Sequence, residues 1–234
     1  MSGKVGGNII NSGLVLCLDA ANKNSYTSGS SSWRDLSGNN NNGTLNNVTF
    51  VNTNPYYFNT NATLITESNY LTCTSITFAD TATYSFEFWV KSRLTPTATY
   101  HSLMGRGTTA PWLPIEHLNT TGTNWRPTFR ENGGTYNNFN AITNYNISNN
   151  WAHIIFTADS SRNISFYLNG NLRQTLTLLT TSTFITSRIL GGYSSGGNAY
   201  SWQGLGSICR IYNKTLSVSE VQQNFNATRT RFGI

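Results

Sequence analysis

Between Trp151 and Leu176 apolar and polar positions alternate with the two-residue period of β-strands. Ala152, Ile154 and Phe156 share one parity and Trp151, His153 and Ile155 the other. A strand apolar on both faces belongs inside a sheet or between two layers. The polar cluster Asp159–Asn163 turns the chain, after which Ile164, Phe166 and Leu168 alternate with Ser165 and Tyr167. Asn169-Gly170 then supplies a hairpin turn, because a type I′ turn needs positive φ at both central residues. The strand returns over Asn171–Leu176. These three strands form a meander, which needs a second layer to cover it.

The same period predicts strands at Leu14–Ala20, Val48–Val51, Tyr56–Phe58, Tyr70–Thr72, Tyr84–Val90, His101–Gly105, Arg126–Arg130, Thr183–Leu190 and Gly204–Tyr212. Trp33–Leu45, rich in Asn and Gly, reads as a tight irregular loop. Thr108–Asn124 breaks the pattern with Pro111 and Pro114, and Gly191–Trp202 reads as a flexible loop. Ser217-Val218-Ser219-Glu220 is a capping box that opens a short helix to about Ala227, with Val218, Val221 and Phe225 as its buried stripe. The expected fold is all-β, with antiparallel strands in packed layers, as in a β-sandwich, and a short C-terminal helix. Residues 1–10 are expected to be a flexible N-terminal arm. Residues 11–234 form one domain, with the helix at 217–227 and a tail at 228–234.

Composition supports this reading. Of 234 residues only 10% are charged, and Asn, Thr, Ser and Gly supply the polarity. The net charge of +6 comes from having only nine acids, and the bases are scattered singly. No clustered phosphate-binding surface follows, so nucleic acid is not an expected partner. A mildly positive surface does attract an acidic partner or anionic polymer. Met1–Ile10 lacks the apolar stretch of a signal peptide, and no apolar run is long enough to insert in a membrane. Cys17, Cys73 and Cys209 have no metal-ligand spacing and are expected as buried free thiols.

Candidate chemistry is sparse. Asp35 either caps its Asn/Gly loop or ligates calcium with nearby amide and carbonyl oxygens; no other cofactor is suggested. Trp112, Tyr136, Tyr145, Tyr193, Tyr200 and Trp202 lie in Asn- and Gly-rich segments. Exposed on one rim, such rings would stack on sugars; for Tyr136 and Tyr145 the alternative is to pack a long loop onto the sandwich. Arg229, Arg231 and Phe232 in the tail either fold back or dock on a neighbouring protein. Retaining glycoside hydrolysis needs two carboxyls about 5–5.5 Å apart. Glu87 stands alone on its strand, and is expected to pair with an arginine such as Arg93 or Arg106. His153 is expected to hydrogen-bond within the sheet, and no G-x-S-x-G elbow occurs. An enzyme is therefore not expected.

Four segments in order, GLVLCLDA with WRDLSGNNNNGTL, YSFEFWVK, WAHIIFTAD…ISFYLNG, and RIYNKTLSVSEVQQNF, resemble the laminin-G-like, concanavalin A-like jelly-roll domains. The resemblance spans Gly13 to about Ile234. It implies two antiparallel sheets face to face, one concave, with the first strand beside Ser207–Tyr212. Within that family, GLVLCLDAAN and NFNATRTRFGI are most similar to versions in virion proteins of tailed bacteriophages. That likeness implies a non-catalytic capsid decoration or fibre component on the virion surface, assembled in the host cytoplasm. Its expected partners are capsid or fibre subunits and cell-surface glycans, and a homo-oligomer is expected. A dedicated carbohydrate-binding adhesin is the alternative, and a glycoside hydrolase a further one.

Overall fold

Strands apolar on both faces must be covered twice, and the chain does this with a second sheet on one side and its own two ends on the other. The computed structural model describes residues 8–60, 69–92, 100–105, 112–117, 125–130, 136–139, 147, 150–178, 183–195 and 198–234; for 100, 112–117, 130, 136, 192–195 and 198–200 it describes the backbone course alone. The described strands are β1 (Leu14–Asp19), β2 (Ser32–Trp33), β3 (Gly43–Asn46), β4 (Thr49–Val51), β5 (Tyr57–Asn59), β6 (Tyr70–Phe78), β7 (Tyr84–Ser92), β8 (Tyr100–Gly105) and β9 (Trp112–His117). They continue with β10 (Trp125–Arg130), β11 (Tyr136–Asn138), β12 (Ala152–Ala158), β13 (Asn163–Leu168), β14 (Asn171–Thr177), β15 (Phe184–Ile189), β16 (Gly191–Ser195), β17 (Asn198–Ser201) and β18 (Gly204–Tyr212). Helix α1 (Val218–Thr228) and a 3₁₀ turn (Arg229–Phe232) follow.

The first sheet has the order β14-β13-β12-β7-β18-β5-β4, with β1 also pairing β18. The second runs β11-β10-β9-β8-β15-β6-β3-β2. The described pairs are antiparallel, as expected of a jelly roll. Strand β18 is the hub. One edge pairs β7 along its length, while the other pairs β5 through Leu205 and Gly206 and β1 through Ile208–Tyr212. The first and last long strands are thus neighbours.

Between the sheets, Phe86, Phe88, Ile154, Phe156, Phe166 and Ile211 meet Leu71, Leu103, Phe129, Phe184 and Ile189. The meander forms as its alternation predicts: Ala152, Ile154 and Phe156 enter this core. Ile155 packs with Tyr167, Tyr212 and Val221 on the opposite face. There α1, the 3₁₀ turn and the N-terminal Ile9 make a third layer. Residues 8–10, expected to belong to a flexible arm, are instead pinned: Ile10 N–H donates to Asn224 Oδ1 at 2.8 Å, and Gln223 donates to Asn8 O at 2.7 Å. Residues 1–7 lie outside the described residues.

Four segments differ from expectation. Trp33–Leu45 carries β2 and the start of β3 at its ends, strands too short to show a period. The broken stretch Thr108–Asn124 contains β9, where Pro114 sits opposite Ser102 beside a bulge between Ser102 and Met104, a place that tolerates a residue without an N–H. Gly191–Trp202 is a two-stranded ribbon, β16-β17, whose Gly191 lies against Tyr70; a Cβ there would approach that side chain to 2.6 Å. Helix α1 begins with the expected capping box, but Val218 is 48% exposed, and the buried positions are Val221, Asn224 and Thr228.

Gly170 shows how the layers meet. It has φ +76° in the β13–β14 turn, and a Cβ there would come 2.9 Å from Phe225 of α1. Gly29 has a similar φ, +85°, with nothing within 4 Å. Urea denaturation should show Gly170→Ala losing about 2 kcal/mol or more, and Gly29→Ala only about 1 kcal/mol, the conformational part alone.

Candidate functional site

Glu87 lies on the outer face of β7, beneath α1, and is fully buried. Strand register brings its partners to it: β12 sets His153 and β18 sets Arg210 on the same face. Its Oε1 accepts from the Arg210 guanidinium and lies 3.0 Å from His153 Nε2. Oε2 accepts from Asn224 at 2.8 Å and from Tyr212 Oη at 3.3 Å. Burial alone would push the Glu87 carboxyl up, but the Arg210 charge and the His153 contact hold it down at about 2. Arg210 is pushed in the matching direction, with burial lowering its pKa and Glu87 raising it further. The expected partners Arg93 and Arg106 lie outside the described residues, and the pair is made with Arg210. The expected hydrogen-bonding role of His153 is met.

Glu87 therefore spends both oxygens inside the protein, under a helix. The thiols are also quiet: burial pushes Cys17 and Cys73 up to about 12, and Cys209 well above its ordinary value. All three are free. Asp35 acts as a loop cap. Its Oδ1 accepts from the N–H groups of Cys17 (2.8 Å) and Ser37 (2.9 Å), and its Oδ2 from Ser37 Oγ (2.7 Å) and Asn41 N–H (3.0 Å). Among the described residues no three His, Cys, Asp or Glu side chains gather as a metal site, and no helix is long and apolar enough to cross a membrane.

The rim aromatics expected to meet sugar fare differently. Trp202 is a correction: it is fully buried, its ring 4.3 Å from His101 at 5°, and its Nε1 donates to Leu205 O. Its neighbours in sequence are polar, but it leads directly into the hub strand β18, which draws it into the core. Trp112, Tyr136, Tyr193 and Tyr200 lie on β9, β11, β16 and β17, and their side chains, like all of Tyr145, lie outside the described residues. Of the two courses expected for the tail, Phe232 takes the first and folds back: it stacks on Trp89 at 4.0 Å and 10° and is buried. Arg231 donates to Asp19 Oδ1 at 2.7 Å. Of the three tail residues only Arg229 stays exposed, its guanidinium 5.9 Å from the Phe225 ring.

A cavity of about 420 Å³ opens between the loop after β1 and the β4–β5 hairpin. It is lined by Ala20, Ala21, Lys23, Tyr26, Thr27, Ser28, Phe50, Asn52 and Tyr56. Core packing builds its floor outward. Trp33 meets Phe58 at 4.5 Å, Phe58 meets Tyr26 at 4.7 Å edge-on, and Tyr26 meets Phe50 at 4.5 Å. Phe50 then stacks under Tyr56 at 6.3 Å and 19°, and Tyr56 is 36% exposed. Tyr56 O accepts from Ser207 Oγ at 2.6 Å, and Tyr26 Oη donates to Ser30 O at 3.1 Å. The wall opposite is fixed by Asp19, whose Oδ1 accepts from Ala21 N–H and from Arg231. Fixed rings beside hydroxyls and an amide form the kind of concave, mostly apolar site that orients a small ligand. Tyr56 and Phe50 were read from sequence only as strand residues; their spacing in Phe50–Phe58, with a turn between, was the signal available.

The sequence profile described as the concanavalin A-like lectin/glucanases superfamily matches residues 65–222. None of the curated proteins compared matches the sequence. Among solved structures, the binding domain of Paraclostridial Mosquitocidal Protein 1 is similar with a TM-score of 0.65 and 18% identity over 92% of this chain and 52% of that one. The botulinum neurotoxin serotype D ligand binding domain, in complex with N-acetylneuraminic acid, gives 0.66 and 16% over 93% of this chain and 51% of that one. A Trypanosoma rangeli sialidase mutant displaying trans-sialidase activity gives 0.63 and 16% over 97% and 34%. This chain spans about half the length of the two binding domains, and at these identities the likeness is one of fold.

The buried carboxylate sets an acid limit. An unfolded Glu takes up its proton near 4.5 and the folded Glu87 near 2, so the stabilisation is complete above pH 4.5 and disappears as pH falls toward 2. Its size is about 3 kcal/mol. Denaturation series at pH 7, 4 and 2.5 should show this loss in the wild type. Glu87→Gln should be less stable at pH 7, by about 3 kcal/mol for an Arg210 left buried without its counter-charge, and should show a shallower acid slope.

Proposed function

The chain belongs to the concanavalin A-like lectin/glucanases superfamily, and from that premise we propose that it is a non-catalytic domain that binds carbohydrate at the Tyr56 cavity and is displayed on a virion as a capsid decoration or fibre component. The observation that carries the glycan reading is the aromatic series from Trp33 to Tyr56, which delivers an exposed, backed ring to a cavity edged by Thr27, Ser28 and Asn52. Sugar C–H faces pack on such rings while their hydroxyls take hydrogen bonds from the rim. The absence of catalysis is supported by Glu87, whose oxygens are both engaged beneath α1. Retaining chemistry asks for an open pair of carboxyls. Trp112, Tyr136, Tyr145, Tyr193 and Tyr200 are retained as further candidate contacts.

The virion role rests on the resemblance of GLVLCLDAAN and NFNATRTRFGI to phage virion domains. With Phe232 and Arg231 engaged within the chain, docking on capsid or fibre subunits is assigned to residues 1–7 and to Arg229. A homo-oligomer, assembly in the host cytoplasm and independence from cofactors complete the proposal. A dedicated adhesin is the second reading, favoured by the same cavity.

A glycan array with the purified protein should register binding that Tyr56→Ala reduces at least tenfold while leaving the melting temperature within a few degrees; array signal unchanged in Tyr56→Ala would remove the cavity from the account. Mass spectrometry of purified virions should detect the chain. Deleting residues 1–7 should lower its copy number there, and undiminished incorporation would argue against docking through the arm.

A further inference from the structure

Among the described residues that line it, the cavity carries a single formal charge. Among its lining residues there is no carboxylate, and the one ionic side chain is Lys23, which is exposed at its mouth. Among the described residues Lys23 makes no ion pair. The described acid nearest to Lys23 in sequence, Asp19, sits behind the wall and is occupied: its Oδ1 accepts from Ala21 N–H, and Arg231 pairs with it at 2.7 Å. Among the described residues, therefore, nothing cancels the positive charge at the mouth. The remaining groups sort by what they offer: Tyr56 over Phe50 gives a flat apolar face, Ala20 and Ala21 give a small-residue wall, and Thr27, Ser28 and Asn52 give neutral hydrogen-bonding groups.

From this arrangement we infer that the cavity selects acidic sugars, pyranoses bearing a carboxylate, with the ring packed on Tyr56 and the carboxylate paired with Lys23. The inference rests on the glycan reading of the same cavity and adds the class of sugar. An ammonium on a flexible stem can reach a carboxylate at several heights above the ring, and such a charge-assisted hydrogen bond is about twice as strong as a neutral one. A sugar with an amine in place of the carboxylate would meet Lys23 as a like charge. The overall charge of +6 acts in the same direction at longer range, drawing anionic polymers toward the surface. A carboxylated pyranose comes from two sources, a uronic acid within a polysaccharide or a terminal N-acetylneuraminic acid, and the chemistry at Lys23 is common to both.

The test uses the full chain and calorimetric or array titration with two ligand pairs: a glucuronic acid-containing oligosaccharide and its carboxyl-reduced form, and an N-acetylneuraminic acid-terminated oligosaccharide and its carboxyl-reduced form. For at least one pair the acid should bind roughly tenfold more tightly than the reduced sugar at low salt, and the difference should shrink with added salt. Which pair shows it identifies the source. Lys23→Gln, an exposed change that keeps the fold, should abolish the difference by weakening the acid; Tyr56→Ala should weaken both members alike. Equal binding of acid and reduced sugar, sensitive to Tyr56→Ala, would overturn the selectivity and leave the glycan site standing. Preference for the acid that survives Lys23→Gln would also overturn it. Binding of neither member, or binding indifferent to Tyr56→Ala, would overturn both readings.

Discussion

One carboxylate ties together three parts of the chain that are far apart in sequence. Glu87 from β7 takes hydrogen bonds from β12, from β18 and from the helix. A charge so deeply buried costs several kcal/mol in desolvation, offset only where every lone pair has a donor. Arg210, His153, Tyr212 and Asn224 meet that demand, and Asn224 passes it on by donating also to Tyr212 Oη and accepting from Ile10 N–H. Further along the helix, Trp89 Nε1 donates to Thr228 Oγ1, which donates to Asn224 O. The position of α1 on the sheet is thus fixed by directional bonds in addition to apolar contact. An apolar face alone would let the helix slide; a carboxylate with fixed donors does not.

That arrangement separates scaffold from site. Away from α1, the sandwich interior is mostly apolar and aromatic, with His101 stacked on Trp202, and the aromatic packing extends from Trp33 to the surface at Tyr56. The same tail that stacks Phe232 on Trp89 sends Arg231 to Asp19, which holds Ala21 in the cavity wall. The third layer and the cavity are therefore mechanically linked through Asp19. Residues that looked suited to outside partners turn out to hold this link in place.

How much of this was legible beforehand depends on the range of the interaction. The meander was, since two-residue alternation and the Asn169-Gly170 turn are local; the turn has φ of +50° and +76°. The jelly roll was, through the resemblance of four ordered segments to a known family. The capping box was, because Ser217 and Glu220 are neighbours. The helix face was not: Val218 looks like a core residue, yet the sheet beneath offers Glu87 and so selects Asn224 and Thr228. Trp202 misled because its polar neighbours describe the ribbon before it and not the hub strand after it. Asp35 was legible as a loop cap; that its donors come from β1 as well as the loop was not. The Tyr56 cavity was hidden because its two walls, residues 20–28 and 50–56, each read as unremarkable.

The position of β18 has a temporal consequence. The strand that joins β7 to β1 and β5 is the last of the sheet along the chain, so the partner of Leu14 is Tyr212. Until residues 204–212 arrive, β7 presents an open, largely apolar edge, and β1 has no partner strand in the first sheet. Pairings of such long sequence separation make for slow folding, and unpaired edges invite association between chains in the meantime. A chain interrupted before residue 204 would carry the aggregation hazard of every preceding strand without the one that closes the sheet.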